Sequence, residues 1–350
     1  MTRSTPADRH SARPRFRALL LALLAIVPIA GRSLDVEVLQ PVGGLPAHVA
    51  GGFDDLASCQ QTPAGEYFVF DRRAHAVFSV APPENEPRKL VQIGAEPGRV
   101  LRPYAFDLGS DGTFIIADAP DNHGRIQVFT TSGASLGGFT LATRDIPMII
   151  LDDLLVSGIS SIEYTGRSIL LNQPESGALV TEYSLDSRLA RTFGELRTTG
   201  HEQDREVHLA MNTGIVTVNP RGGYYFVFVA GTPLFRKYDK AGKLEFERHI
   251  EGIELDDYVR AMPNSWPRRR IRDGEVPIVQ PVVKTASTDL DGNLWISLAV
   301  PYTYVYDQTG DKRRTIQFRA AGLLTPRTLF FTRDRRVLVT PGCYAFPAGK

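Results

Sequence analysis

The stretch FDLGSDGTFIIAD (106–118) decides the fold class. It reads as an aliphatic strand, a tight polar turn closed by Gly112, and a second strand of aromatic and β-branched residues. RIQVFTTSG (125–133) follows with apolar and polar residues alternating at period two, as in a half-buried strand. LGGFTL (136–141) adds a short outer strand. The pattern predicts one antiparallel unit of four strands.

The same unit recurs along the chain. Five further copies of its first hairpin are CQQTPAGEYFVFD (59–71), SIEYTGRSILLN (161–172), VTVNPRGGYYFVF (216–228), STDLDGNLWISL (287–298) and LFFTRDRRVLVT (329–340). The last copy has Arg335 where the others have a turn glycine. The turn glycines, from Gly65 to Gly292, are separated by 47, 54, 57 and 69 residues, with 43 more to Arg335. These are the periods of propeller blades.

The two ends of the repeat array complement each other. The last unit ends with CYAFP (343–347), before a fourth strand, whereas a spare strand, LDVEVLQ (34–40), precedes the first unit. A ring closes without an exposed sheet edge when the N-terminal strand completes the last blade. The sequence therefore predicts an all-β, six-bladed β-propeller over residues 34–350, with the last blade closed by the N-terminal strand.

One unit carries a family resemblance. DAPDNHGRIQVFTTSGASLGGF (118–139) resembles an NHL repeat: an Asp, an Asn-His pair, Arg-Ile-Gln-Val-Phe, a Gly turn and a short outer strand. DLDGNLWISL (289–298) is similar to the first hairpin of the same repeat. The resemblance implies a propeller related to the TolB-like and gluconolactonase-type superfamily. It implies an architecture and does not transfer a function.

The first 33 residues are typical of a secretion signal. Five arginines precede the apolar run ALLLALLAIVPIA (18–30), which is short for a membrane-spanning helix. We therefore expect a signal peptide over 1–33 and a secreted or periplasmic protein. The alternative is an uncleaved anchor formed by residues 18–30, and only this version would contact a membrane.

The charge of the exported part excludes one class of partner. The full chain has 40 basic and 39 acidic side chains, and residues 1–33 contain six of the basic ones and one of the acidic ones. The rest of the chain therefore has 34 basic and 38 acidic side chains, a net charge of −4. Nucleic-acid binding depends on massed Lys and Arg, so we expect no nucleic-acid partner. The chain has two cysteines, Cys59 in the first blade and Cys343 in the last. Ring closure makes these blades neighbours; the pair is either a disulfide or two buried thiols.

The candidate ligand site lies at one mouth of the central channel. Potential cations stand just before, or at the start of, inner strands of four different blades; they are Arg102, His208, Lys284 and Arg327. A long insertion, 251–277, holds Trp266 beside an arginine run. Converging positive charge favours an anionic small molecule or a carboxylate-bearing protein or peptide partner. The alternatives are that these cations pair with nearby acids and that the insertion is a solvated loop.

An enzyme on the same scaffold is the competing hypothesis. The gluconolactonase-type class uses a divalent metal at the channel mouth for hydrolysis or a lyase reaction. Glu163 and Asp289 are the inner-strand acids that the sequence suggests for it. Asp289, Asp291 and Asn293 mimic a calcium loop, but the twelfth position is Val300, so a blade turn is the better interpretation. We find no catalytic motif, predict no cofactor or metal, and favour a binding protein.

Overall fold

The computed structural model describes residues 36–120, 123–141, 148–151, 154–157, 161–263, 265–271 and 274–349. Six antiparallel sheets of four strands, one of them extended by a fifth strand, form six blades, as predicted. The predicted signal segment, 1–33, lies outside the described residues. Within them, no helix is both long and apolar enough to cross a membrane.

Each blade begins at the channel and ends at the rim. The inner strands are Leu56–Gln61, Ala105–Leu108, Ile162–Tyr164, Gly214–Val218, Val283–Thr288 and Thr328–Phe331. The second strands are Tyr67–Asp71, Thr113–Asp118, Ser168–Leu171, Tyr224–Phe228, Leu294–Leu298 and Arg336–Thr340. The third strands are Ala76–Val80, Arg125–Thr130, Ala178–Ser184, Leu234–Tyr238, Thr303–Tyr306 and Tyr344–Pro347. The outer strands are Pro87–Lys89, Ser135–Thr140, Leu189–Glu195, Leu244–His249, Lys312–Phe318 and Gly43–Gly44.

Helices and extra strands are confined to the connections. The helices are α1 (Ala47–Ala50), α2 (Arg205–Met211) and α3 (Ile253–Arg260), with one 3-10 turn at Pro174–Ser176. A small parallel pair, Gln92–Ile93 with Arg99–Val100, precedes the second blade. Four more strands, Met148–Leu151, Leu154–Ser157, Arg268–Ile271 and Gly274–Val279, form a separate sheet.

The hydrophobic core is divided among the junctions between blades. Successive inner strands contact one another in a closed cycle, from blade 1 to blade 6 and back to blade 1. Six apolar clusters fill the six junctions of the described chain. The junction of blades 1 and 2, for example, stacks Phe70 on Phe106 and Phe114 on Phe129. Alternating strand residues thus pack against both neighbouring blades, which is why the chain needs six units and a closed ring.

The N-terminal segment closes the ring in two steps. Gly43–Gly44 pairs antiparallel with Tyr344–Pro347 and completes blade 6, so closure of the last blade by an N-terminal strand is confirmed. The predicted strand within 34–40 lies elsewhere: Val36–Leu39 pairs in parallel with Lys312–Phe318 as a fifth strand of blade 5. A Cβ atom at Gly44 would collide with the carbonyl of Cys343, so this close pairing requires glycine.

The turn of blade 6 keeps the left-handed geometry of the other blade turns although it lacks their glycine. Arg335 adopts the left-handed conformation, φ 60°, in the position that Gly292 fills with φ 85° in blade 5. Its guanidinium reaches Asp291 at the blade 5 turn, with Nη1 2.7 Å from Oδ2. The ion pair joins blades 5 and 6 and compensates for the strained backbone.

We expect Arg335→Gly and Arg335→Ala to separate these two effects. Both lose the ion pair, but only glycine removes the backbone strain. Arg335→Gly should therefore have an unfolding equilibrium constant about fivefold lower than Arg335→Ala. Denaturant unfolding of the two variants measures the ratio, and equal stability would contradict a strained turn.

Candidate functional site

The channel is lined by equivalent residues of the six inner strands. Each first hairpin opens at a residue whose N–H donates to the carbonyl across the turn; these residues are Thr62, Gly109, Thr165, Asn219, Asp289 and Thr332. Two positions earlier the chain carries Gln60, Asp107, Glu163, Thr217, Ser287 and Phe330. We call these six residues the channel ring. Five consecutive blades, 1 to 5, thus place a polar side chain at the same level of the channel.

The polar members of the channel ring fasten each blade to the next. The side chain of Gln60 accepts a hydrogen bond from the backbone N–H of Leu108 in blade 2 (2.8 Å). In the same way Asp107 Oδ2 accepts from Tyr164 N–H in blade 3 (2.7 Å). An inner strand is a sheet edge with unpaired N–H groups, so these side chains satisfy donors that the ladder leaves open.

Glu163 continues the series into blade 4. Its Oε1 accepts from the backbone N–H of Val218 (2.9 Å), and the Thr217 hydroxyl also bonds to its carboxyl group. Thr217 in turn lies 3.3 Å, oxygen to oxygen, from Thr288 in blade 5. The polar side chains therefore form a chain of contacts across five blades of the channel wall.

Two carboxyl groups of the ring are perturbed by their surroundings. Protein surrounds both Asp107 and Glu163, although each keeps part of its surface accessible to water, as expected for side chains that line a narrow channel. Burial raises the pKa of Asp107 to about 6, against the opposing effect of the hydrogen bonds that it accepts. Burial also raises the pKa of Glu163, and the nearby charge of Asp107 raises it further.

A second feature lies on the face of the propeller at which the inner strands begin; we call the channel opening on this face the upper mouth. Three consecutive connections, 141–161, 196–213 and 250–282, each run from the outer strand of one blade to the inner strand of the next. Ile150 and Leu151 of the first connection pair in parallel with Ile278 and Val279 of the third. Helix α2 of the second connection contacts both. Together they form one structure, which we call the cap.

Side-chain contacts hold the cap together. Arg268 donates to Asp204 Oδ2 and to Glu206 Oε2 at the start of α2, each at 2.7 Å. Trp266 packs against a small cluster of Ala210, Ala230 and Val279. Within the insertion 251–277, Trp266 and Arg268 thus contact other parts of the cap, whereas Arg269 and Arg270 are exposed.

The predicted cations are all at the upper-mouth end of their blades. His208 lies on α2, where its Nδ1 is 2.8 Å from the Thr199 hydroxyl, and Lys284 is the half-buried second residue of the blade 5 inner strand. Arg102 donates to the Ala119 carbonyl (2.7 Å), and Arg327 pairs with Asp55 (3.7 Å). An acidic neighbour, one of the alternatives at this site, is present for Arg327 and for His208, whose Nδ1 lies 3.9 Å from Glu202 Oε1. Convergence of the four cations on one ligand stays a prediction.

Other residues that the sequence singled out have structural roles. Asp289 Oδ1 accepts from the N–H groups of Asp291 and Asn293, and Oδ2 accepts from Trp295, so it organises a blade turn. In the NHL-like segment, buried Asp118 forms an ion pair with Arg125 (2.6 Å). His123 of that segment is exposed, and its partner Asn122 lies outside the described residues.

Asp107 is the ring residue that the sequence analysis missed. The predicted site residues precede or begin the inner strands, whereas the channel ring lies near the other end of each strand. Aligning the six repeats on the residue that opens the turn would have placed Asp107 and Glu163 in one column. That register is readable in FDLGSDG and IEYTG once the two turns are superposed.

The channel residues do not fit a divalent metal of the gluconolactonase-type class. Such ions are held by several oxygen or nitrogen ligands that converge from different strands. Here both oxygens of Asp107 accept hydrogen bonds from Gln60, Leu108 or Tyr164, and Oε1 of Glu163 accepts from Val218. Within the described chain, no three Asp, Glu, His or Cys side chains converge. We derive no catalytic step through a metal.

A cavity of about 190 Å³ opens at the opposite, lower mouth between blades 5 and 6. Three arginines line it, and each has an acidic partner: Arg313 with Asp307, Arg314 with Glu37, and Arg335 with Asp291. These pairs leave the cavity walls electrostatically balanced. We therefore regard the cavity as part of the junction between the blades.

Comparison with known proteins assigns the chain to no family. No protein-family model and no curated protein matches the chain, so the NHL assignment stays a prediction. Similar solved structures include a virginiamycin B lyase from Staphylococcus aureus, with TM-score 0.47, 13% identity, and 82% of this chain and 81% of that chain covered. Regucalcin from Agrobacterium tumefaciens, a calcium-binding protein, gives TM-score 0.48, 13% identity and 87% coverage of both chains. A protein of unknown function from Bacteroides caccae gives TM-score 0.46 and 12% identity, with 77% of this chain and 84% of that chain covered.

Likeness of this degree carries no inference about activity, and the fold rests on the sheet topology itself. The chain is a six-bladed β-propeller with structural neighbours of the virginiamycin B lyase and regucalcin type.

Proposed function

We propose that the protein is an exported binding propeller that holds an anionic small molecule, or the carboxylate of a peptide, at its upper mouth. The observation that carries the proposal is the cap. Three connections that could have been short turns instead fold together at one end of the channel. Long connections on a rigid scaffold are where binding residues concentrate.

The charge at the upper mouth supports an anionic ligand. Asp55, the acid nearest Arg327, already accepts two hydrogen bonds from Arg72, at 2.9 and 2.7 Å. The contact from Arg327 is longer, and 62% of its side chain stays exposed. A carboxylate or phosphate could therefore approach Arg327 without first breaking a close ion pair.

Two non-glycine residues with strained backbones also lie on this face of the propeller. Arg102 and His75 both adopt left-handed conformations, with φ 54° and φ 49°. They meet where blades 1 and 2 join, with the N–H of Arg102 3.4 Å from His75 Nδ1. Residues other than glycine rarely adopt this conformation, and such strain tends to collect at binding sites.

We expect the double variant Arg102→Ala, Arg327→Ala to lose affinity for anions by at least about tenfold, because each guanidinium supplies a charge-assisted hydrogen bond. The probes are citrate and a tripeptide with a free C-terminal carboxylate, each titrated by calorimetry against a neutral amide analogue. Thermal melting on the same samples reports saturation of a single site.

Arg313→Ala is the matched control, because it removes an exposed arginine at the lower mouth. It should leave the affinity of both probes unchanged. Equal binding by the wild type and the double variant would remove the upper-mouth site. Equal loss in the double variant and the control would indicate general electrostatic attraction instead.

Export is a separate part of the proposal. It is supported by the basic and apolar pattern of residues 1–33 and by a disulfide between Cys59 and Cys343, a bond typical of oxidising compartments. Expressed with its own leader in a bacterial host, the protein should appear in the periplasmic fraction with a mass that corresponds to cleavage near residue 33. Recovery of the full-length chain in the membrane fraction would favour the anchored alternative.

A further inference from the structure

The two channel carboxyl groups differ in how many of their lone pairs are used. Asp107 accepts from three donors: Gln60 Nε2 and Leu108 N–H at Oδ1, both at 3.1 Å, and Tyr164 N–H at Oδ2. The donors that meet Glu163 are Val218 N–H, at Oε1, and the Thr217 hydroxyl. A carboxylate that accepts more hydrogen bonds is more strongly stabilised in its charged form, so Glu163, with fewer donors, holds a proton more readily than Asp107.

Among the residues that the structure describes, no cation forms an ion pair with either carboxyl group. The groups that face it from the packed strands are Gln60 from blade 1, Tyr164 from blade 3 and Thr217 from blade 4, all uncharged at neutral pH. Asp111 lies on the other side of Tyr164, where its carboxylate accepts a hydrogen bond from the Tyr164 hydroxyl (3.1 Å). In the part of the chain described, Lys, Arg and His form no ion pair with either carboxyl group.

We propose that Glu163 keeps its proton in the folded protein near neutral pH while Asp107 is the carboxylate, so that blades 2, 3 and 4 are joined by a proton-sensitive contact. The proton resides on Oε2 of Glu163, which leaves Oε1 able to accept from Val218. Loss of the proton creates a second anion beside the first, and no Lys, Arg or His of the described ranges forms an ion pair with either. The proposal concerns the channel wall and does not depend on a ligand at the upper mouth.

The sign of the pH dependence follows from the raised pKa values. A carboxyl group whose pKa is higher in the folded than in the unfolded chain makes the folded state bind protons more tightly. Its stabilising contribution is complete below the ordinary range of Asp and Glu and is lost as pH rises through the folded value. For Asp107 that value is about 6, and the raised pKa of Glu163 extends the loss above it. The channel wall should thus weaken as the medium passes from mildly acidic to alkaline.

The test is the pH dependence of unfolding in Glu163→Gln. Glutamine reproduces the protonated side chain: its oxygen accepts from Val218, and its amide carries no charge. The wild-type unfolding equilibrium constant should rise at least about tenfold between pH 5 and pH 8, one pKa unit being a factor of ten. Glu163→Gln should show a much smaller rise and be the more stable protein at pH 8. Glu195→Gln, an exposed glutamate on the outer strand of the same blade, is the matched control and should follow the wild type.

Asp107→Asn tests which residue holds the proton. The amide would turn an N–H₂ group toward a donor, so this variant should be less stable than the wild type at every pH between 5 and 8. Infrared difference spectra should show a protonated carboxylic acid at pH 7 in the wild type and in Asp107→Asn but not in Glu163→Gln. A tolerated Asp107→Asn with a destabilised Glu163→Gln would reverse the assignment. Identical pH profiles for wild type and Glu163→Gln, without the acid band, would overturn the proposal.

Discussion

Replacing Cys59 and Cys343 by alanine should cause a large loss of stability. The two residues form a disulfide between blade 1 and blade 6, with Cα atoms 5.7 Å apart and 284 residues separating them in sequence. Chain-entropy arithmetic for a loop of that length gives about 5 kcal/mol in the free energy of unfolding, as an upper value. Denaturant unfolding under non-reducing conditions measures it.

The single variants are the internal control for this prediction. Because either substitution breaks the bond, Cys59→Ala, Cys343→Ala and the double variant should lose similar amounts of stability. Both cysteines are fully buried, so each alanine also leaves a small void costing about 1 kcal/mol. Losses that simply add, with two free thiols titrating in the denatured, unreduced wild type, would show that the bond is absent from the protein.

Ring closure explains why this bond lies where it does. The N–H of Leu45 donates to the carbonyl of Cys343 (3.0 Å), and Val42 donates to Ala345 (2.7 Å), so the N-terminal segment is laid along blade 6 at this position. When a propeller unfolds, its ring opens at one of the contacts that close it. Where the two chain ends meet, few residues of the N-terminal segment pair with blade 6. The chain passes from Gly43–Gly44 of blade 6 into blade 1, and the disulfide adds a covalent bond between blade 1 and the C-terminal part of blade 6.

The blade pattern was predictable because it is local. Every hairpin depends on residues within about a dozen positions, and turn glycines with alternating strands mark them directly. Even the sixth unit was recognisable, although Arg335 took the glycine's place, because its flanking strands kept their period. The pattern gave the number of blades without any knowledge of how they pack.

The features that were missed depend on distant partners. Gly43–Gly44 has no strand propensity, and its pairing with the last blade depends on the close approach that glycine permits. The cap sheet pairs residues 150–151 with 278–279 in parallel, across more than a hundred residues of chain. Pairing between strands so distant in sequence leaves no local pattern, so the sequence shows the insertion 251–277 only as an interruption of the repeat.

Replacing Arg197 should also destabilise the protein strongly, because its single buried guanidinium connects three segments of the chain. It donates to the Met211 carbonyl at the end of α2 (2.7 Å), to the Thr232 carbonyl (2.6 Å) and to the Ala230 carbonyl. It also lies over the ring of Phe228, 4.3 Å from the centroid. Burial, with the nearby charge of Arg236, lowers its pKa to about 10, so it remains charged at neutral pH.

Arg197→Met should destabilise the fold by about 3 kcal/mol, because it keeps most of the apolar packing while leaving three carbonyl groups without this donor. Arg197→Lys should recover only part of the loss, since one ammonium group cannot span acceptors that a planar guanidinium reaches together. Hydrogen exchange should locate the damage in α2, because Arg197 and Asn212 are the anchors of that connection: the Arg197 N–H donates to Asn212 Oδ1 at 2.8 Å. If exchange in α2 were unchanged while the rest of blade 4 was deprotected, Arg197 would stabilise the core of that blade and would not anchor the cap.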